Sequence, residues 1–200
     1  MEMRLRILKE AGILFSRYGL RSVTMDQISA ELGISKRTLY EIFKDKDDLV
    51  SQAIEEGIKA YKNHCNKVIL ESDNVIEAIF NIGKLNYNLF SKINPLFFED
   101  FKKYHFEIFK KINKNNGLRD FKITESLLHR GVNEGIFSDY LDLDLVNLFL
   151  HKMIDLTYLE EFSKYGDKKI LASMFLPYLS GISTKKGEKL VGKYLNKFNT

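Results

Sequence analysis

Apolar residues recur at three- and four-residue intervals through almost the whole chain, and turn signals, not strand-like alternation, separate the segments. The pattern predicts an all-α fold. Thr24, with Gln27 three residues on, predicts a capped helix start in which Ile28 and Leu32 share a face. Gly33 then supplies a tight turn, Ile34 anchors it from below, and Ser35 caps a second short helix whose Leu39, Ile42 and Phe43 face inward. Asp45 caps a long helix from about Lys46 to Leu70, and Asp73 the next, with Ile76, Phe80, Tyr87 and Phe90 as its apolar stripe. Asn94 and Pro95 open a helix in a stretch, 95–112, that is dense in aromatics. A helix over about 118–134 stops at Gly135. Asp142 caps another, with Val146, Phe149, Leu150, Met153 and Ile154 inward. An apolar segment from Ile170 to Ile182 follows, then a basic helix from about Lys186 to Phe198.

Residues 24–43, TMDQISAELGISKRTLYEIF, are two short helices joined by a glycine turn, the order of a helix-turn-helix DNA reader. With Leu39, Ile42 and Phe43 inward, the second helix presents Lys36, Arg37, Tyr40, Glu41 and Lys44 outward. Such a face offers cations for guanine edges or phosphates and hydroxyls for backbone oxygens. The expected DNA contacts are Thr24, Ser35, Lys36, Arg37, Thr38, Tyr40, Lys44 and Lys46. Glu41, an anion on the same face, either accepts from a cytosine amino group or points away.

Overall charge adds little to that reading. The net charge is +4, and residues 1–50 hold nine Lys or Arg against eight Asp or Glu, so the signal lies in the local grouping of Lys36, Arg37, Lys44 and Lys46. The single Cys65 excludes an intramolecular disulfide, and MEMRLRILKE lacks the apolar core of a signal peptide, so a cytoplasmic location is expected. No apolar run approaches the roughly 20 residues of a spanning helix. No paired cysteines, phosphate loop, H-E-x-x-H or nucleophile motif is present, so neither an enzyme nor a metal or cofactor protein is expected. The pairs Glu125/His129 and His151/Asp155 fall at i, i+4 but have no third ligand in the pattern.

With its flanks, ILKEAGILFSRYGLRSVTMDQISAELGISKRTLYEIFKDKDDLV resembles the DNA-binding domain of the tetracycline-repressor (TetR-like) family of bacterial transcriptional regulators. The resemblance rests on Leu14, Phe15 and Gly19 at the end of a first helix, on Thr38, Leu39, Tyr40 and Phe43, and on Lys46 and Leu49. Arg37 stands where relatives often carry glycine. The resemblance implies a three-helix DNA-binding domain over 1–46 and a helical effector-binding and dimerisation domain over 47–200. It further implies a ligand-responsive repressor that binds double-stranded, palindromic DNA as a homodimer, with 143–163 and 168–181 forming a four-helix interface with their copies.

The same resemblance implies a small-molecule effector held between the helices of 73–163. Tyr87, Phe90, Phe101, His105, Phe109, Asn147 and His151 are the candidate contacts, although aromatics at this spacing equally serve as ordinary core. The competing expectation is a DNA-bound adaptor whose C-terminal domain docks a protein partner.

Overall fold

The computed structural model describes residues 2–114, 121–157, 159–162 and 164–198. The regular elements among them are all helical: α1 (Glu2–Tyr18), α2 (Met25–Leu32), α3 (Lys36–Ile42), α4 (Lys46–Glu71), α5 (Val75–Phe90), α6 (Pro95–Tyr104), α7 (Phe106–Lys114), α8 (Phe121–Asn133), α9 (Leu143–Leu156), α10 (Asp167–Ile170), α11 (Leu176–Gly181) and α12 (Lys185–Phe198). A 3-10 turn occupies Glu160–Phe162, and a π-helical turn, Leu171–Phe175, joins α10 to α11. The chain is all-α, as its periodicity predicts.

Most helix starts lie where the capping residues place them. Asp45 Oδ1 accepts from the Asp48 N–H at 2.8 Å ahead of α4, Asn94 Oδ1 from the Leu96 N–H at 3.0 Å, and Asp142 Oδ1 from the Leu145 N–H at 3.0 Å. One cap needs correction, and two segments are more divided than their pattern shows. The α5 cap is Asn74, whose Oδ1 accepts from the Glu77 N–H, while Glu77 Oε2 reaches back to the Asp73 N–H; Asp73 supplies only a backbone donor to this reciprocal box. The aromatic stretch is two helices, because the His105 backbone leaves the helical region (φ −124°, ψ 40°) and its side chain turns inward. The 170–182 segment widens into a π turn, with the Leu176 N–H reaching Leu171 O, just before Pro177. Proline removes an N–H and crowds the preceding turn, and a wider turn relieves both. The expected start of a helix at Leu118 falls outside the described residues.

The chain forms two compact units: Met1–His64 with Leu85–Leu118, and Cys65–Lys84 with Arg119–Thr200. In the first, Ile7, Ala11 and Phe15 of α1, Ile28 of α2, Leu39 and Phe43 around α3, and Leu49 and Val50 of α4 are fully buried. Phe101 of α6 and Ile112 of α7 complete that core. Side chains from both sides of residue 46 share this core.

In the second unit Val75, Ile76, Leu127, Leu128, Ile136, Phe137, Leu179 and Val191 form the centre. Arg130 donates to the carbonyls of Ile69 and Ser72 and pairs with Glu134, whose Oε2 accepts from the Val75 N–H at 2.8 Å. A cation thus meets the carbonyl end of α4 and an anion the amide end of α5, as the helix dipoles favour. Gly131 allows Phe137 to lie directly on α8: a Cβ there would come 2.0 Å from Phe137 Cδ2. Gly131→Ala should destabilise this unit by ~1–3 kcal/mol through overpacking, measured as a lower urea midpoint.

Candidate nucleic-acid interface

The turn between α2 and α3 is built from local hydrogen bonds. Thr24 Oγ1 accepts from the Gln27 N–H at 3.1 Å, the amide half of the expected capping box. Gly33 adopts a left-handed conformation (φ 65°), open to glycine at little cost, and its N–H donates to Ala30 O while that of Ile34 reaches Ser29 O. Ser35 Oγ then accepts from the Thr38 N–H at 3.0 Å. Replacing it, Ser35→Ala, should cost ~1 kcal/mol in chemical denaturation. Leu39 and Phe43 are fully buried and Ile42 packs against the same core, so α3 is seated by its apolar face. Ser35, Lys36, Arg37, Tyr40, Glu41 and Lys44 are exposed, Thr38 is half-buried, and Thr24 is exposed at the start of α2.

Two of the cations on this face are paired in advance. Lys36 Nζ lies 2.6 Å from Asp26 Oδ1, and that hydrogen bond, with the attraction behind it, lifts the lysine above its ordinary pKa of 10.5. Arg37 Nε donates to Glu41 Oε1 at 2.9 Å. Lys46 is placed differently from the others. It is half-buried, its Nζ donates to Arg21 O at 3.3 Å, and burial lowers its pKa against the pull of Asp100 and Asp47. Its position suits bracing of the α1–α2 connection.

The same connection is held from α6. The Arg21 N–H donates to Asp100 Oδ2 at 2.8 Å and the Arg21 guanidinium to Tyr104 Oη at 3.1 Å. Asn94 donates through its backbone to Ser16 O and through its side chain to Arg17 O. Periodicity carries no signal for these partners, which are remote in sequence. His105 Nδ1 lies 3.1 Å from Asp47 Oδ1. Burial lowers the His105 pKa below its ordinary 6.5 and the nearby Lys46 acts the same way, while Asp47 and Asp100 oppose. A base depressed in the folded state is neutral there and takes up its proton more readily when unfolded. Its contribution to stability is therefore present above pH 6.5 and is lost as the pH falls through the folded value. Urea denaturation below pH 6.5 should show the loss, and His105→Asn should flatten that dependence.

Residues 7–53 match the family model described as "Bacterial regulatory proteins, tetR family". This N-terminal part of the chain is similar to the tetR family. An HTH-type transcriptional regulator of Staphylococcus aureus (strain USA300) is 37% identical over 67 residues, which are 34% of this chain and 36% of the relative. The match thus spans about a third of the curated relative's length. Among solved structures, a TetR-family transcriptional regulator from Cytophaga hutchinsonii is similar with a TM-score of 0.71 at 14% identity, covering 92% of this chain and 96% of that one. The regulator FadR from Bacillus subtilis, in complex with stearoyl-CoA, is similar with a TM-score of 0.61 at 20% identity, covering 91% and 100%. These two likenesses are of fold, and they extend beyond the matched residues 7–53 to the C-terminal helices.

The candidate effector contacts divide between the two units. Phe101 is buried in the core of the first unit, edge-on to Phe109 at 5.4 Å, and His105 adjoins Asp47. In the same unit Tyr87 is 62% exposed and Phe90 lies edge-on to Tyr61 at 6.3 Å. Asn147 and His151, in the other unit, form a buried polar group with Thr124, whose Oγ1 lies 2.6 Å from Asn147 Oδ1 and 2.9 Å from His151 Nε2. Phe121 stacks on the imidazole at 3.7 Å. Among the described residues, no three His, Cys, Asp or Glu side chains are grouped to hold a metal ion, and no helix is long and apolar enough to cross a membrane.

Proposed function

We propose that the chain is a ligand-responsive transcriptional repressor that binds a palindromic operator in double-stranded DNA as a homodimer, in the cytoplasm. The carrying observation is the exposed face of α3, with Lys36, Arg37, Tyr40 and Lys44 set around a buried Leu39 inside a TetR-type domain. Residues 1–46 supply the DNA-contacting surface; 47–200 supply effector binding and dimerisation. One recognition helix reads few base pairs, and two placed ~34–36 Å apart read a palindrome.

The second subunit is supported by the outer face of α9. Leu145 (64% exposed), Leu148, Phe149 (59%) and Leu156 form an apolar stripe opposite the buried Asn147, His151 and Met153. Beside it lies an apolar cavity of about 360 Å³ lined by Phe149, Lys152, Met153, Leu156, Met174 and Tyr178. Apolar surface of this kind marks an interaction site, and the proposed dimer packs 143–163 and 168–181 against their copies. Tyr158 and Ser163 lie outside the described residues.

The complex of the Bacillus subtilis relative with stearoyl-CoA supports a small-molecule effector here. Its action is read as a population shift between forms with differently spaced recognition helices. The ties from Asn94, Asp100 and Tyr104 to residues 16–21 give α6 a grip on the DNA-binding helices.

Binding measured on duplex variants at several salt concentrations tests the reading. Arg37→Ala should lose ~1–3 kcal/mol of discrimination at particular base pairs, whereas Lys44→Ala should weaken all duplexes alike and reduce the salt slope by about one. Tyr40→Phe should resemble Lys44→Ala. Equal loss for every duplex in Arg37→Ala would remove its base-reading role.

A further inference from the structure

We propose that Glu41 is a positioning residue for sequence readout: it holds the Arg37 guanidinium by Nε, so that the two Nη groups are presented as a fork to a guanine. The inference rests on the DNA-binding reading above and assigns the specificity of that site. Its observation is the 2.9 Å contact from Arg37 Nε to Glu41 Oε1, between side chains that are 89% and 59% exposed on the outer face of α3.

Helix stability gains less from this pair than from the opposite order. At i, i+4 the favourable order is acid first and base second, and here the order is reversed. A carboxylate facing a polyanion is moreover repelled unless a cation neutralises it. Glu41 therefore opposes DNA binding on its own account and acts through what it does to Arg37.

The guanidinium has five N–H donors in a rigid plane. With Nε engaged, the pair of Nη groups remains the edge able to make two parallel bonds, which matches O6 and N7 of guanine in the major groove. A long exposed arginine otherwise samples many rotamers, and ordering it on binding opposes association. The ion pair orders it beforehand. Lys36 is drawn aside to Asp26 at 2.6 Å, which leaves the Arg37 fork as the positioned cation at the start of the helix.

The test uses the full-length protein and duplexes enriched by it from a random pool, with each base substituted in turn. Arg37→Ala identifies the base pair it reads, expected to be G·C. Glu41→Ala should reduce preference for that G·C about tenfold while strengthening binding to unrelated duplexes, because a negative charge is gone. A merely structural role would weaken both. Glu41→Gln, which keeps an oxygen acceptor for Nε, should retain most of the preference. In an Arg37→Ala background, Glu41→Ala should alter no base preference.

The proposal is overturned if Glu41→Ala keeps the full guanine preference. It is equally overturned if that variant loses preference at another base pair whether or not Arg37 is present, as a cytosine-reading carboxylate would. If the wild-type protein enriches no sequence, the DNA-binding reading itself falls and takes the proposal with it, an outcome distinct from the other two.

Discussion

Phe149→Asp should convert the assembled protein into single 23.3 kDa chains without unfolding them. Phe149 is 59% exposed in the isolated chain, so a carboxylate there meets water when the chain is alone and apolar surface when it is paired. Burying an unpaired charge is far costlier than burying the ring it replaces. Light scattering should report half the wild-type mass with the helical circular dichroism retained. Operator affinity should fall by ~10²–10⁴-fold, because the second recognition helix is no longer tethered to the first. Retained mass would place the interface elsewhere than on α9.

Phe101→Ala should lower the stability of the N-terminal unit by ~3–5 kcal/mol. The ring is 1% exposed and packs with Phe97 at 6.1 Å and Phe109 at 5.4 Å against the core that also seats α3. Its removal leaves a cavity in the core that α3 shares. Urea denaturation should show the loss, and DNA affinity should fall with it even though Phe101 is far from the outer face. If Phe101 instead lined an effector cavity, the variant would keep its denaturation midpoint and lose only its response to a ligand.

The helix-turn-helix was readable because each of its signals is local. Thr24, Gly33 and Ser35 act within four residues of themselves, and Leu39 and Phe43 show their burial through spacing alone. The partners of the aromatic stretch were not readable in this way. Phe101 and His105 sit in a stretch whose period is satisfied by any apolar neighbour, and only the tertiary fold places Phe101 in the N-terminal core and His105 beside Asp47. Phe149, expected inward, is exposed for a related reason. The α9 helix is apolar on two faces, so its pattern does not distinguish the side that packs within the chain from the side left exposed. Lys46 followed the basic cluster by sequence, and its half-buried position depends on the backbone of Arg21 and the charge of Asp100. The role of Glu41 was open because a sequence does not show which way an exposed carboxylate turns.

The central claim is that the chain reads a specific, two-fold symmetric DNA sequence. Its most direct test is selection of duplexes from a random pool by the wild-type protein, followed by sequencing of what is retained. The expected result is an inverted repeat whose half-sites are spaced for recognition helices ~34–36 Å apart, each half-site carrying a guanine lost from the selection by Arg37→Ala. Recovery of no enriched sequence would contradict the DNA-binding claim, and recovery of a single asymmetric site by a monomeric protein would contradict the dimeric one.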